Sequence, residues 1–209
     1  GNGPAYRYKY GRKGVRAMHD ARLQPYIISL YHELYENEAY NEIEILFEGA
    51  QGFGLDIDWG DYPYVTSSHC TVGSAILNGV PPNAIRDVWG VAKIYETYVG
   101  AKKFEGPDEI FDTIREIGQE YGATTGRPRQ INWLDFDTLK MAARINGCTK
   151  VVFNKMDVLD GLDSWCLYDG PNLYQFETRN DIELWLSGKL ELEVNDEMDI
   201  MFSGNKEGI

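Results

Sequence analysis

The sequence predicts an α/β fold built on one large, mostly parallel sheet flanked by helices. Apolar segments at 42–49 and 149–153 have the length and composition of buried strands, and the segment 108–120 between them repeats isoleucine at helical spacing. Strands that alternate with helices are typical of βαβ units. Both strands run directly into polar loops, and open α/β sheets form their ligand sites at the carboxyl ends of strands.

The N-terminal half is predicted to contain two helices and two strands. Apolar residues at spacings of three and four predict a helix over 15–40. The strand at 42–49 follows, then a short helix at 71–79 and a strand at 88–98 that is rich in β-branched and aromatic residues. The apolar residues of the first helix are Leu23, Ile27, Leu30 and Leu34.

The C-terminal half is predicted to alternate more regularly. The helix over 108–120 is followed by a second helix that begins at Asn132 or Trp133 and stops at Gly147. The strand 149–153 then leads into a loop at 154–161. Three more strands and a helix complete the chain, at 163–168, 172–178, 197–202 and 180–188.

Composition excludes several classes of function. The 209 residues carry a formal net charge of −13, whereas non-specific nucleic-acid binding depends on basic residues that neutralise phosphates. Residues 1–22 are locally basic, which indicates either an anion site or a solvated helix start. The three scattered cysteines predict reduced thiols in a cytosolic protein, and no apolar run approaches the roughly 20 residues of a membrane span. The chain begins Gly1-Asn2-Gly3-Pro4, so we expect it to be a piece of a longer protein.

The segment Asn154-Lys155-Met156-Asp157 directly follows a predicted strand. A carboxylate there can accept two hydrogen bonds from the N1–H and the exocyclic amine of guanine, a pair that adenine does not offer. The stem of Lys155 can lie over the base. Ser203-Gly204, after the last strand, could add backbone contacts. The alternative is a strand-end turn with a surface ion pair.

A second polar loop, 122–129 (GATTGRPR), places two hydroxyls and two guanidinium groups within six residues. Arginine grips carboxylates and phosphates through its planar fork, and small residues let backbone N–H groups approach an anion. We therefore expect a dicarboxylate or a phosphate chain as the ligand. A mobile basic loop is the alternative, although Pro128 stiffens the segment.

The first polar loop, 47–68, contains Gln51 at the end of a predicted strand and hydroxyl groups that suit a phosphate. Its acidic residues could hold Mg²⁺, but such residues more often cap turns, so we expect no metal ligand in this chain. His69 is more often structural than catalytic when it stands alone. The acidic residues are Glu48, Asp56, Asp58 and Asp61.

Taken in order, four blocks resemble the adenylosuccinate synthetase family: FEGAQG–LDID–YPYVTSS, Val99-Gly100, GATTGRPR–WLD and KMDVLDG. The resemblance covers residues 1–161 and resumes at 199–204. It implies a fold related to P-loop NTPases and a ligase that forms a C–N bond. Such an enzyme joins L-aspartate to C6 of a purine nucleoside monophosphate through a 6-phosphoryl intermediate, with Mg²⁺ and GTP or ATP. It also implies a cytosolic homodimer with no nucleic-acid or membrane partner.

The resemblance implies a role for each matching residue. Gln51 would act at the 6-position as the catalytic residue of this chain. The monophosphate would be bound by Asn2, Arg12 (across the dimer), Gln51, Thr66, Val99 and Arg127. Aspartate would be bound by Thr124, Thr125, Arg127 and Arg129. The NTP would be bound by Arg129, Lys155, Asp157, Ser203 and Gly204. Residues 1–209 would form a single α/β domain, the C-terminal portion of the enzyme, with 1–41 as its helical phosphate and dimer segment.

The chain departs from the family at several points. The N-terminal part that carries the phosphate loop, the aspartate base and the histidine acid has no counterpart in these residues. Tyr98 stands where the family usually has arginine, and AKKFEG at 101–106 replaces Gly-Pro-Phe-Pro-Thr-Glu. This broken ribose-side motif favours dGMP as the substrate, as in the phage 2-aminoadenylosuccinate synthetases. The alternatives are an ordinary enzyme that uses IMP and GTP, or a non-catalytic nucleotide-binding remnant.

Overall fold

The computed structural model describes residues 2–36, 43–123, 126–162 and 164–203. These residues fall into two compact units, Gly1–Ile85 and Arg86–Ile209, and each is described by itself. The interpretation of residues 1–209 as one domain stays a prediction. No helix in the described ranges is long and apolar enough to cross a membrane.

The first unit contains little regular structure. Helix α1 (Asn2–Tyr10) begins it, and a short helix α2 (Gly73–Leu77) lies within the predicted 71–79 segment. Where the structure describes this unit, only Asp56, Ser68 and Ala75 are buried.

Two predictions for the first unit are wrong. In place of a helix over 15–40 there are short 3-10 turns at Ala17–His19 and Gln24–Tyr26 and a π-helical turn at His32–Glu36; residues 37–40 lie outside the described ranges. Leu23 and Leu30 are 45% and 53% exposed, so no burial compensates the cost of helix nucleation. The predicted strand 42–49 is absent over its described residues, 43–49, which pair with no neighbour.

The second unit is the structured part of the chain. Its described residues form seven strands: β1 (Trp89–Lys93), β2 (Tyr95–Tyr98), β3 (Gln130–Asp135), β4 (Lys150–Asn154), β5 (Trp165–Asp169), β6 (Asn172–Phe176) and β7 (Asp199–Phe202). Its helices are α3 (Ile110–Ile117), α4 (Phe136–Asn146), α5 (Met156–Asp160) and α6 (Arg179–Glu193).

The α/β class is confirmed, with parallel strands flanked by helices. Strands β1, β4 and β7 form a parallel sheet in the order β1-β4-β7. Strands β2, β3, β5 and β6 form a mixed sheet, in which β3 and β5 are parallel and the outer pairs are antiparallel. The core joins both sheets to the helices through residues such as Phe111, Phe136, Phe153, Trp165 and Leu186.

Three differences from the predicted elements bear on the candidate site. The predicted strand 88–98 is two strands, β1 and β2, that belong to different sheets. The helix expected from Asn132 or Trp133 begins at Phe136, because residues 130–135 form β3 and Asp135 caps the helix by accepting a hydrogen bond from Thr138 N at 2.9 Å. The predicted 154–161 loop contains helix α5.

Candidate functional site

Two lysines mark the carboxyl edge of the parallel sheet. Lys93 is the last residue of β1 and is aligned with Asn154, the last residue of β4. Lys155 follows directly, with a left-handed φ of 64°. The site therefore begins where neighbouring parallel strands end, the usual position of ligands in open α/β sheets.

The carboxylate of Glu120 lies at the centre of a cluster beside this edge and is only 3% exposed. Lys93 Nζ donates to both carboxylate oxygens, at 2.8 and 2.7 Å. Tyr95 Oη donates to one oxygen at 2.9 Å, and Arg129 Nη1 donates to the other at 3.2 Å. A buried carboxylate is stable only when it is paired and hydrogen-bonded in this way.

The cluster shifts the acidity of its members. Burial lowers the pKa of the Lys93 ammonium, and the attached Glu120 carboxylate offsets part of that effect. Burial, then the negative charge of Glu120, raises the pKa of the Tyr95 hydroxyl, which stays protonated as a donor. The positive charge of Lys155 also lowers the pKa of Lys93, and the negative charge of Asp157 also raises the pKa of Tyr95. Lys155 and Asp157 therefore lie within electrostatic reach of the cluster.

The predicted base-binding pair lies at the start of α5. Lys155 Nζ donates to the carbonyl oxygen of Gly118 at 2.9 Å, two residues before Glu120. Asp157, in the first turn of α5, is exposed. The side-chain carbonyl oxygen of Asn154 is buried and accepts no hydrogen bond from any described residue. Ser203 N donates to Phe153 O at 2.8 Å, which ties the end of β7 to β4, whereas Gly204 lies outside the described residues.

The 122–129 loop is held at its base. Gly122 N donates to Arg127 O at 2.9 Å, and Arg129 N donates to Glu120 O at 3.0 Å. Gly126 has a φ of 64°, a left-handed conformation that favours glycine. Arg127 is exposed, whereas Thr124 and Thr125 lie outside the described residues. The structure thus brings Arg129 and Lys155 to the same turn, residues 118–120.

Val99 follows β2 and is 45% exposed.

In the first unit, Gln51 and Thr66 are in direct contact. Gln51 Nε2 donates to Thr66 Oγ1 at 3.2 Å, and Ser68 Oγ donates to Gln51 Oε1 at 3.1 Å. Gln51 has a φ of 69°, an uncommon conformation for a residue with a side chain. Arg12 is exposed just after α1, of which Asn2 is the first residue. The structure therefore supports a common location for Gln51 and Thr66.

Among the acidic residues of the 47–68 loop, Asp56 acts as a structural group. Asp56 is fully buried and accepts hydrogen bonds from the backbone N–H groups of Asp58, Trp59 and Cys70 at 2.9, 3.1 and 2.6 Å. Burial alone would raise the pKa of Asp56, but these donors hold it below its usual range.

The cluster of Asp56, Asp58 and His69 does not fit a magnesium site. Asp56, Asp58 and His69 could bring one ligand atom each within 4.8 Å of one another. Both oxygens of Asp56 are already engaged by backbone donors, and Mg²⁺ prefers oxygen ligands in octahedral geometry over imidazole.

Sequence reasoning missed Lys93 and Glu120. Lys93 could have been found as a cation at the end of a strand. The sequence pattern of 88–98 predicts one continuous strand, however, so no strand end is predicted at Lys93. Glu120 reads as the last residue of an amphipathic helix, and only the fold shows that its carboxylate is buried.

A parallel sheet with basic and acidic side chains just beyond its strand ends has the arrangement at which open α/β proteins form ligand sites. The adenylosuccinate synthetase family model matches residues 17–167. The chain belongs to the adenylosuccinate synthetase family.

The relatives and solved structures agree with this assignment. The chain is 48% identical to adenylosuccinate synthetase of Caldanaerobacter subterraneus over 145 residues, covering 68% of the chain and 34% of the relative. It is 42% identical to that of Leuconostoc citreum over 183 residues, covering 83% and 41%. Fully ligated adenylosuccinate synthetase from Plasmodium falciparum aligns with a TM-score of 0.69 and 28% identity, covering 95% of this chain and 54% of that one.

A phage enzyme shares the fold. Cyanophage S-2L succinoaminodeoxyadenylate synthetase, bound to dGMP and dATP, aligns with a TM-score of 0.60 and 24% identity, covering 89% of this chain and 63% of that one. The chain spans about a third to two fifths of the length of the curated relatives it matches.

Proposed function

We propose that the complete protein is a purine-nucleotide ligase that condenses L-aspartate with C6 of a purine nucleoside monophosphate. N1 of the purine loses its proton as the γ-phosphoryl group of the NTP is transferred to the 6-oxygen, and the amino nitrogen of aspartate then attacks C6. The C6–O bond breaks, inorganic phosphate leaves with the former 6-oxygen, and the nitrogen loses a proton. The products are an N6-succinyl nucleotide, a nucleoside diphosphate and phosphate.

One observation carries this proposal: Arg129 and Lys155 are both attached to the 118–120 turn beside the carboxyl ends of β1 and β4. Arg129, a cation that can bind phosphate or carboxylate, and Lys155, one of the pair proposed to recognise the base, thereby contact the same turn. Asp157 reads guanine, and Arg129 binds anionic oxygen on the NTP or aspartate. Developing negative charge is then met by fixed donors, which is the usual source of catalysis in such reactions.

In the first unit, the hydrogen bonds among Gln51, Thr66 and Ser68 support the proposal that this loop binds the monophosphate. Gln51 is assigned to the 6-position, and Thr66 and Arg12 to the 5′-phosphate. Thr124, Thr125 and Arg127 are assigned to aspartate. Magnesium, a homodimer and a cytosolic location belong to the same proposal, although the cluster of Asp56, Asp58 and His69 does not fit the metal.

The purine substrate divides the proposal into two candidates. IMP is supported by the curated relatives, which are named adenylosuccinate synthetases. dGMP is supported by the divergent segment that begins at Tyr98, whose ring contacts Phe104 at a centroid distance of 5.6 Å. Neither candidate requires a different reaction.

Turnover of the complete protein tests both candidates. Product formation is measured with L-aspartate, MgGTP or MgATP, and either IMP or dGMP. A kcat/KM for dGMP above that for IMP supports the phage-type enzyme, and the reverse supports the ordinary one. If neither nucleotide gives an N6-succinyl product, the protein is a non-catalytic remnant.

A further inference from the structure

One glutamine side chain holds the whole divergent segment after β2. Gln130 Oε1 accepts hydrogen bonds from Phe104 N at 2.8 Å and Glu105 N at 3.2 Å. Gln130 Nε2 donates to Lys102 O at 2.8 Å and to Gly100 O at 3.4 Å. Only a carboxamide of this length satisfies two donors and two acceptors at once, since a carboxylate cannot donate and a cation cannot accept.

The segment 100–105 is fixed to β3 by further contacts. Asn132 Nδ2 donates to Phe104 O at 3.2 Å, and the Glu105 carboxylate accepts from Ile131 N at 2.9 Å and pairs with Arg115.

Tyr98 completes this arrangement from the end of β2. A Cβ atom on Gly100 would lie 2.1 Å from the Tyr98 hydroxyl oxygen, so that ring covers Gly100. Tyr98 is therefore packed into the segment rather than extended away from it.

Gln130 joins two parts of the proposed site. It pairs with Tyr98 in the β2–β3 ladder, next to Val99, and it directly follows Arg129 in the chain. Arg129 has its own supports, because its carbonyl oxygen accepts from Arg115 Nε at 2.7 Å and its side chain contacts Glu120. Loss of the Gln130 amide would therefore loosen the 100–105 segment, which would keep only its Asn132 and Glu105 contacts, and would leave the Arg129 side in place.

We infer that Gln130 is a positioning residue that fixes the 99–105 segment and so sets the affinity for the nucleoside monophosphate. This inference rests on the proposed function and on the role that the family resemblance implies for Val99, which is to bind the monophosphate. Gln130 itself touches no reacting atom. The amide acts through the segment it holds, in which AKKFEG at 101–106 departs from the family pattern.

The test compares Gln130→Met with the matched control Gln175→Met, at an exposed position of β6, in the complete protein. We expect Gln130→Met to raise the KM, and the Kd measured by calorimetry, for IMP or dGMP about tenfold. The KM for aspartate should stay within about twofold. Amide hydrogen exchange should accelerate at 100–105 and not at 126–129. Gln130→Glu keeps the acceptor but sets a carboxylate oxygen against Lys102 O and Gly100 O, so its effect should be at least as large.

Three outcomes would overturn the inference: unchanged exchange at 100–105, faster exchange with unchanged monophosphate affinity, or equal losses for aspartate and monophosphate. Because binding and exchange do not require turnover, they test Gln130 even if no ligase activity is found. Absence of activity in the unsubstituted protein refutes the proposed function instead. If Gln130→Met does not fold, Gln130→Glu provides the same comparison.

Discussion

Lys93 and Glu120 form a buried ion pair in which one ammonium group contacts both carboxylate oxygens, at 2.7 and 2.8 Å. The pair connects the end of β1 to the turn that precedes the 122–129 loop. Removal of one member of such a pair leaves an uncompensated buried charge, and the cost exceeds the net stabilisation from the intact pair.

We therefore expect Glu120→Gln to destabilise the complete protein by roughly 3 kcal/mol. Tyr95→Phe, which removes one hydrogen bond to the same carboxylate, should cost about 1 kcal/mol. Chemical unfolding measures both, with the exposed Glu116→Gln as the control. Equal stabilities of Glu120→Gln and Tyr95→Phe would mean that the ion pair is not the main contact.

The guanine-reading role of Asp157 predicts a selective loss. Asp157→Asn replaces an acceptor oxygen with a donor amide, so it should raise the KM for GTP by about tenfold or more and leave the KM for ATP almost unchanged. Steady-state kinetics with both nucleotides measure the effect, and Asp196→Asn on the exposed surface is the control. If the KM values for ATP and GTP rise equally, Asp157 does not recognise the base.

Glu96 predicts that the stability of the folded protein depends on pH. Burial, then the negative charge of Asp135, raises the pKa of Glu96 to about 7 from its usual 4.5. The folded state therefore holds this proton more tightly than the unfolded state does. Its contribution to stability is complete below pH 4.5 and is lost as the pH rises through about 7.

Glu96→Gln imitates the protonated form, so the variant and the parent should be equally stable at about pH 4.5. The variant should become more stable by about 3 kcal/mol above pH 7. Unfolding measured across this range checks the prediction, with the exposed Glu177→Gln as the control. A difference that is constant with pH would show that Glu96 is not titrating there.

Asp56 predicts a local effect on the 52–70 loop. Asp56→Asn brings an amide donor against the N–H of Cys70 or those of Asp58 and Trp59, so one set of hydrogen bonds must be lost. We expect faster hydrogen exchange through the loop and a higher KM for the monophosphate, since Thr66 lies in it. Asp58→Asn, at an exposed carboxylate, should change neither. Unaltered exchange in Asp56→Asn would show that the buried carboxylate does not hold the loop.

The sequence predicted the class of fold better than it predicted the individual elements. The helix 108–120 and the strand 149–153 were found as α3 and β4 because their apolar residues are buried in a complete core. The helix 15–40 and the strand 42–49 were wrong because their apolar residues gain no burial in the first unit.

Contacts between distant segments could not be read from local pattern. Lys155 was recognised from its neighbours in the chain, but its hydrogen bond to Gly118 spans 37 positions. Likewise, Glu120 is hydrogen-bonded to Lys93, and Gln130 is hydrogen-bonded to Phe104. Only the fold brings the members of each pair together. Thr124, Thr125 and Gly204 lie outside the described residues, so their assignments stay predictions.

The most direct test follows the 6-oxygen of the purine through the reaction. The complete protein is given L-aspartate, MgGTP or MgATP, and IMP or dGMP that carries ¹⁸O at position 6. The account predicts that the label leaves with the inorganic phosphate while an N6-succinyl nucleotide forms. Label found in water instead, or retained in the nucleotide product, would contradict it.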